Sequence, residues 1–121
     1  MTPTPGAYLK QRRSAAGLSA IEVAFKVATE PRQPEHIRAD WIEQIEADIV
    51  PASFNTIVAL RAVYAFDLEV LARLAAIAMG LAKLPPELCR ICGCSWEDPC
   101  LDEHKQGCSW VEKGLCSACA S

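Results

Sequence analysis

Gly17-Leu18-Ser19-Ala20-Ile21-Glu22-Val23-Ala24 ends one helix and begins another. Gly17 carries no Cβ and is free to take the left-handed conformation that closes a helix. Ser19 followed three residues later by Glu22 is a capping box, in which each side chain satisfies a backbone N–H of the other residue. Upstream, this predicts a helix over residues 5–16, with Pro5 near its start and Leu9 and Ala16 facing inward. Downstream it predicts a second over residues 20–28, burying Ile21, Ala24 and Val27.

The same signals continue to residue 84, where Ala, Leu, Ile and Glu are frequent and β-branched alternation is scarce. After a polar loop, residues 29–33, a third helix starts at Pro34, or at Asp40 if Asp40 and Glu43 form its cap. Either start offers Trp41, Ile42 and Ile45 to the core. Ser53 caps a fourth helix with Phe54, Ile57, Val58 and Leu60 inward. Asp67 caps a fifth with Leu68, Leu71, Leu74, Ala75 and Ala78 inward, and Gly80 closes it. The fold class is therefore all-α, a five-helix body over residues 1–82. A stiff linker containing Pro85 and Pro86 follows over 83–88, and then a small irregular module over 89–121.

All seven cysteines lie in that last module, between Cys89 and Cys119. About 30 residues are too few for an independent hydrophobic core, so the module needs a staple. Cys89-x-x-Cys92 and Cys116-x-x-Cys119 have the spacing that lets two thiolates of one turn face a single ion, and together they make a four-sulfur zinc site. Gly93 gives the first pair the form of a zinc knuckle, whose backbone N–H groups turn toward the sulfurs. Cys94, Cys100, His104 and Cys108 remain, formally enough donors for a second zinc, with buried thiols or another partition of the cysteines as the alternatives. Four thiolates also hold an iron–sulfur cluster, so zinc and cluster both stay open. Trp96 and Trp110 are expected to cover the metal.

The odd cysteine count fits poorly with a complete disulfide framework, and there is no basic, apolar leader at the N-terminus. Both point to a reducing, cytoplasmic setting. The longest apolar region, residues 68–84, is broken by Glu69, Arg73 and Lys83, which excludes a membrane-spanning helix there. No Gly-rich phosphate loop is present, and neither histidine belongs to a recognisable nucleophile–base pair, so no enzyme is expected.

The opening pattern resembles the phage-repressor helix-turn-helix family, the Cro/Xre group. Leu9-x-x-x-Arg13, Gly17-Leu18-Ser19 and Glu22-Val23-Ala24 carry the likeness, with Ile42-x-x-Ile45-Glu46 and Thr56-Ile57-x-x-Leu60 further on, so it spans residues 6–75. The resemblance implies that helices two and three form the motif and that the third enters the major groove of double-stranded DNA. It also implies an ion pair between Arg13 and Glu46 that joins the first helix to the third. Lys10, Arg12, Lys26, Arg32, His36, Arg38, Gln44 and Asn55 are the candidate DNA contacts.

Three features depart from the family pattern. Ala20 stands where the family often has a DNA-contacting Gln, and the connection before Trp41 is longer than its usual turn. The net charge of −3 is also uneven: between residues 31 and 50, Glu35, Asp40, Glu43, Glu46 and Asp48 oppose only Arg32 and Arg38. Phosphates repel such a surface. The leading expectation is a DNA-binding transcriptional regulator, with a palindromic site if the protein is a two-fold homodimer, and with a structural zinc tail that mediates dimerisation or contacts another protein. The alternatives are a protein-interaction adaptor that has lost DNA affinity, and a redox- or metal-responsive regulator.

Overall fold

A computed structural model of the chain describes residues 2–27, 33–95, 97–101, 104 and 106–120. Five helices, α1 (Pro5–Ala15), α2 (Ala20–Lys26), α3 (Glu35–Glu46), α4 (Phe54–Arg61) and α5 (Leu68–Ala78), precede a two-stranded antiparallel sheet of β1 (Trp110–Glu112) and β2 (Leu115–Cys116). The all-α body and the small cysteine module are as the sequence implied. The β1–β2 hairpin of the module turns at Gly114, with φ 81°.

Capping chemistry fixes most of the helix ends. Thr4 accepts from the backbone N–H of Ala7 at the start of α1, with Pro5 in the first helical position. Ser19 and Glu22 make both bonds of the capping box on α2. Ser53 accepts from Thr56 N, and Asp67 accepts from both Glu69 N and Val70 N. Gly17 and Gly80 adopt φ of 75° and 78° and close α1 and α5. Helix α3 begins at Glu35 after Pro34, without a side-chain cap, so Asp40 lies inside the helix rather than before it.

The core comprises Tyr8 and Leu9 of α1, Val23, Ala24 and Val27 around α2, Ile42 and Ile45 of α3, and Leu60, Tyr64, Phe66, Leu71 and Leu74. Helix α2 is rotated from the expected phase: Ala20, Val23, Ala24 and Val27 face inward and Ile21 outward. Ala16, Phe54, Val58, Leu68 and Ala78, all expected inside, are exposed as well. Helices of seven and eight residues, such as α2 and α4, span only about two turns, too few for hydrophobic spacing to set the inward face unaided. Tyr8 is fully buried, and its hydroxyl accepts from Asp67 N, tying α1 to the start of α5.

Helix α1 crosses the end of α3 at close range. Arg13 Nε and Nη2 donate to the two carboxylate oxygens of Glu46 at 2.7 and 2.9 Å, and Arg13 Nη1 donates to Leu18 O at 2.9 Å. The pair expected between helices one and three is therefore formed, with both side chains nearly buried. Its hydrogen bond to Glu46 raises the Arg13 pKa. In the first turn of α1, Gly6 N donates to Asp48 Oδ1 at 2.9 Å, and Asp48 holds a positive φ of 61°. A Cβ on Gly6 would overlap the carbonyl oxygens of Ile45 and Glu46, the latter at 2.6 Å.

Gly6→Ala therefore tests this crossing. Helix propensity alone favours alanine by about 1 kcal/mol, whereas overpacking against backbone costs about 1–3 kcal/mol. The second effect wins because a carbonyl in a helix cannot rotate away, so chemical denaturation should show a net loss of stability. A stabilised Gly6→Ala protein would contradict the close approach.

Candidate metal centre and helix pair

The cysteine module is built from three short backbone devices. Cys89 N donates to Cys94 O, and Gly93 N donates to Cys89 O, both at 2.9 Å, which folds residues 89–94 into a knuckle with Gly93 at φ 76°. Cys108 N donates to Cys100 O at 2.8 Å, beside a bridge between Leu101 and Gly107. The β1–β2 hairpin then carries Cys116 inward, and Cys119 N and Ala120 N both return to Cys116 O. Trp110 packs against the cysteines, half-buried, as expected for one of the two covering indoles. Trp96 lies outside the described residues.

All seven cysteines are free thiols. The sulfurs of Cys92 and Cys100 are 3.5 Å apart, those of Cys92 and Cys116 3.8 Å, and those of Cys94 and Cys108 3.7 Å. A disulfide needs about 2 Å. A tetrahedron of sulfurs around an ion with Zn–S bonds of 2.3 Å has edges of about 3.8 Å, so these separations fit a thiolate-held ion. Two sets of four have all their ligand atoms within 4.8 Å of one another: Cys89, Cys92, Cys94 and Cys116, and Cys94, Cys100, Cys108 and Cys116. Either set could hold a metal ion such as zinc.

This grouping differs from the expected partition of the ligands in two places. Cys89, Cys92 and Cys116 come together as their spacing implied, with Cys94 among them and Cys119 beside them. In the second set, Cys116 occupies the place expected for His104, which is exposed and outside both groups. The knuckle explains the first change: its turn returns Cys94 over Cys89, an arrangement that Cys-x-x-Cys spacing alone does not disclose. Cys119 stays nearby, interacting with the thiols of Cys92, Cys116 and Cys89.

Burial and hydrogen bonding act on these thiols in opposite directions. For Cys116, burial raises the pKa, but the backbone N–H of Cys119 and the thiols of Cys94, Cys119 and Cys89 outweigh it and bring the group down to about 6. Cys89 is lowered in the same way: burial opposes, and the backbone N–H groups of Cys92, Cys116 and Ile91 prevail. Burial pushes Cys100 up to about 12 and raises Cys94 and Cys119 as well. Hydrogen bonding thus favours the thiolate form at Cys116 and Cys89, burial favours the thiol at Cys94, Cys100 and Cys119, and a thiol gives up its proton when it binds a cation.

The module is docked on α1. Arg12 Nη1 donates to Cys92 O at 3.1 Å, its Nε donates to Ala65 O at 3.4 Å, and Nη2 lies 3.5 Å from Asp98. Gln11 Nε2 donates to Arg90 O at 2.9 Å. A Cβ on Gly93 would stand 3.2 Å from Arg12 Cδ, so the knuckle lies directly against the helix. Neither Gln11 nor Asp98 had a signal in the sequence that distinguished it from an ordinary surface residue.

The expected DNA contacts divide into three kinds. Lys10, Lys26, His36, Gln44 and Asn55 are exposed. Arg32 lies outside the described residues. Arg12 and Arg38 are 8% and 1% exposed and do not present charge to solvent. Arg12 is the tether just described, and Arg38 turns back to donate to Val27 O at 3.3 Å, beside Glu35 at 3.7 Å. A guanidinium has five N–H donors: Arg12 finds the carbonyls of Ala65 and Cys92, whereas Arg38 has the single carbonyl of Val27, and its Nε and Nη2 are buried without a hydrogen-bond acceptor among the described residues. The outward face of α2 and α3 carries Ile21, Phe25, Ile37, Asp40, Glu43 and Gln44.

Among the described residues, no helix is long and apolar enough to cross a membrane. Comparison with models of known protein families, with curated proteins and with solved structures finds no match.

Arg12→Ala would remove the donor to Cys92 O and leave Asp98 without its partner. The expected cost is about 1–3 kcal/mol in docking. Hydrogen exchange should quicken at residues 89–94, while metal content is retained. Unchanged exchange there would show that the tether carries no energy. Lowering the pH should weaken metal binding, because protons compete for the ligand thiolates. For Cys116 the loss begins as the pH falls through about 6, to be followed by metal release under a colorimetric chelator.

Proposed function

We propose that this protein is a non-enzymatic DNA-binding regulator of the Cro/Xre type whose C-terminal module is held by zinc. The observation that carries this reading is the bidentate Arg13–Glu46 pair, which joins α1 to α3 as the family resemblance implies. Beside it, α2 and α3 pack as consecutive helices, and the first turns of α3 expose His36, Ile37 and Asp40. In such a frame the third helix enters the major groove, and Lys10 and Lys26 lie where phosphates are neutralised. The protein then acts by occupying its site, as a two-fold dimer on a palindrome.

Zinc fits the module better than an iron–sulfur cube. A cube binds each cysteine to a different iron atom and so spreads the sulfurs, whereas these crowd within 4.8 Å. Closed all-thiolate shells hold structure and leave no position for a substrate.

One observation favours a second reading, that of a protein-interaction adaptor. Arg12 and Arg38 are withdrawn into the fold, and the α2–α3 face combines exposed Ile21, Phe25 and Ile37 with Asp40 and Glu43. Such a face suits an apolar, basic protein surface better than a phosphate backbone.

Titration of short DNA duplexes at decreasing salt separates the two. Regulation predicts binding that strengthens steeply as salt falls, and each of Lys10→Glu and Lys26→Glu should lower the logarithmic salt slope by about 1. Absence of binding even at low salt would reject the DNA reading. If Phe25→Ser and Ile37→Ser abolish capture of a defined partner that DNA does not displace, the adaptor reading stands.

A further inference from the structure

The two sulfur groups are not separate. Cys94 and Cys116 belong to both, and the union of the groups contains six of the seven cysteines. Two independent four-sulfur shells would need eight thiolates, more than the chain possesses. Two all-cysteine sites therefore exist here only by sharing sulfur. The residues common to both sets have the position such sharing requires: Cys94 and Cys116 are each 1% exposed at the middle of the module, while Cys100 and Cys108 lie nearer its surface. They come from different backbone devices, the end of the knuckle and the second strand of the hairpin. The sulfur of Cys92 touches both that of Cys116 at 3.8 Å and that of Cys100 at 3.5 Å, so the groups form one continuous body of sulfur.

Resting on the metal-binding reading of the module, we propose that it holds a binuclear thiolate cluster in which Cys94 and Cys116 each bind two divalent cations. Cys89 and Cys92 complete the shell of one ion, and Cys100 and Cys108 that of the other. Six thiolates around two divalent ions leave two negative charges, the same as one ion in a single four-thiolate shell, so the second ion enters without adding net charge to a buried site. A thiolate sulfur has more than one lone pair, and a bridging position spreads its charge over two cations. The cluster also unites all three segments of the module. A single ion in the first set would leave the Cys100–Cys108 segment outside the coordination shell. Cys119 is the one cysteine without a place in either shell.

The test uses the full-length, fully reduced chain loaded with isotopically labelled cadmium(II), a thiophilic stand-in for zinc with a usable nuclear spin. Metal analysis should give two ions per chain, and cadmium NMR should give two resonances split by mutual coupling through the shared sulfurs. Cys119→Ser should keep both ions. Cys100→Ser should reduce the content from two ions to one, and Cys116→Ser should alter both resonances at once. Two unsplit resonances, or a single ion per chain in the unaltered protein, would overturn the shared cluster and leave a metal-binding module standing. An absence of bound cadmium would overturn the metal reading and the cluster together. The coupling is measured on the unaltered chain, so the result stands even if a variant fails to fold.

Discussion

Arg13 and Glu46 place two full charges almost out of reach of water, and the geometry of the helical body follows from their meeting. Each would be strongly unfavourable alone: breaking such a buried pair on one side costs about 3–5 kcal/mol, against about 1 kcal/mol or less for an exposed one. The two parallel hydrogen bonds fix the angle and the register of α1 against the last turn of α3. Gly6 and Asp48 fix the same crossing at its other end, where the backbones come too close for any side chain on residue 6. With α1 and α3 thus clamped, α2 fills the space beside them through Val23, Ala24 and Val27. What α3 shows to the outside is determined by what this clamp turns inward.

The neighbouring residue on α1 extends the same logic to the module. Arg12 points away from Arg13 and into the junction with the cysteine segment, where it meets two carbonyls and a carboxylate. A guanidinium suits this place because its rigid fork of donors can serve several acceptors at once, which the single ammonium of lysine does less well. Two successive arginines thus attach α1 to different partners, one within the body and one beyond it.

Much of this was legible in the chain. The caps at Ser19, Ser53 and Asp67 and the closing glycines at 17 and 80 are local chemistry, determined by residues within a few positions, and they emerged where the spacing put them. What stayed hidden was relational. Ile21 and Val23 are equally apolar, and only the docking of α2 decides which is buried. Arg12 and Arg38 look like surface charge until the fold brings carbonyls to them. Sequence spacing identified three sulfurs of the first group correctly, but the fourth depends on how the turn at Gly93 returns the chain, and paired Cys-x-x-Cys motifs do not encode that.

The seating of Arg12 also bears on how the helical half behaves alone. In the whole chain this cation is covered by the knuckle and partly neutralised by Asp98. Cutting the protein after the fifth helix would uncover it two residues from Lys10, placing a fresh positive charge on a surface that the intact molecule keeps less basic. The excised body would then attract polyanions more strongly than its parent, for a reason unrelated to α3. Affinity measured on such a fragment would flatter the protein.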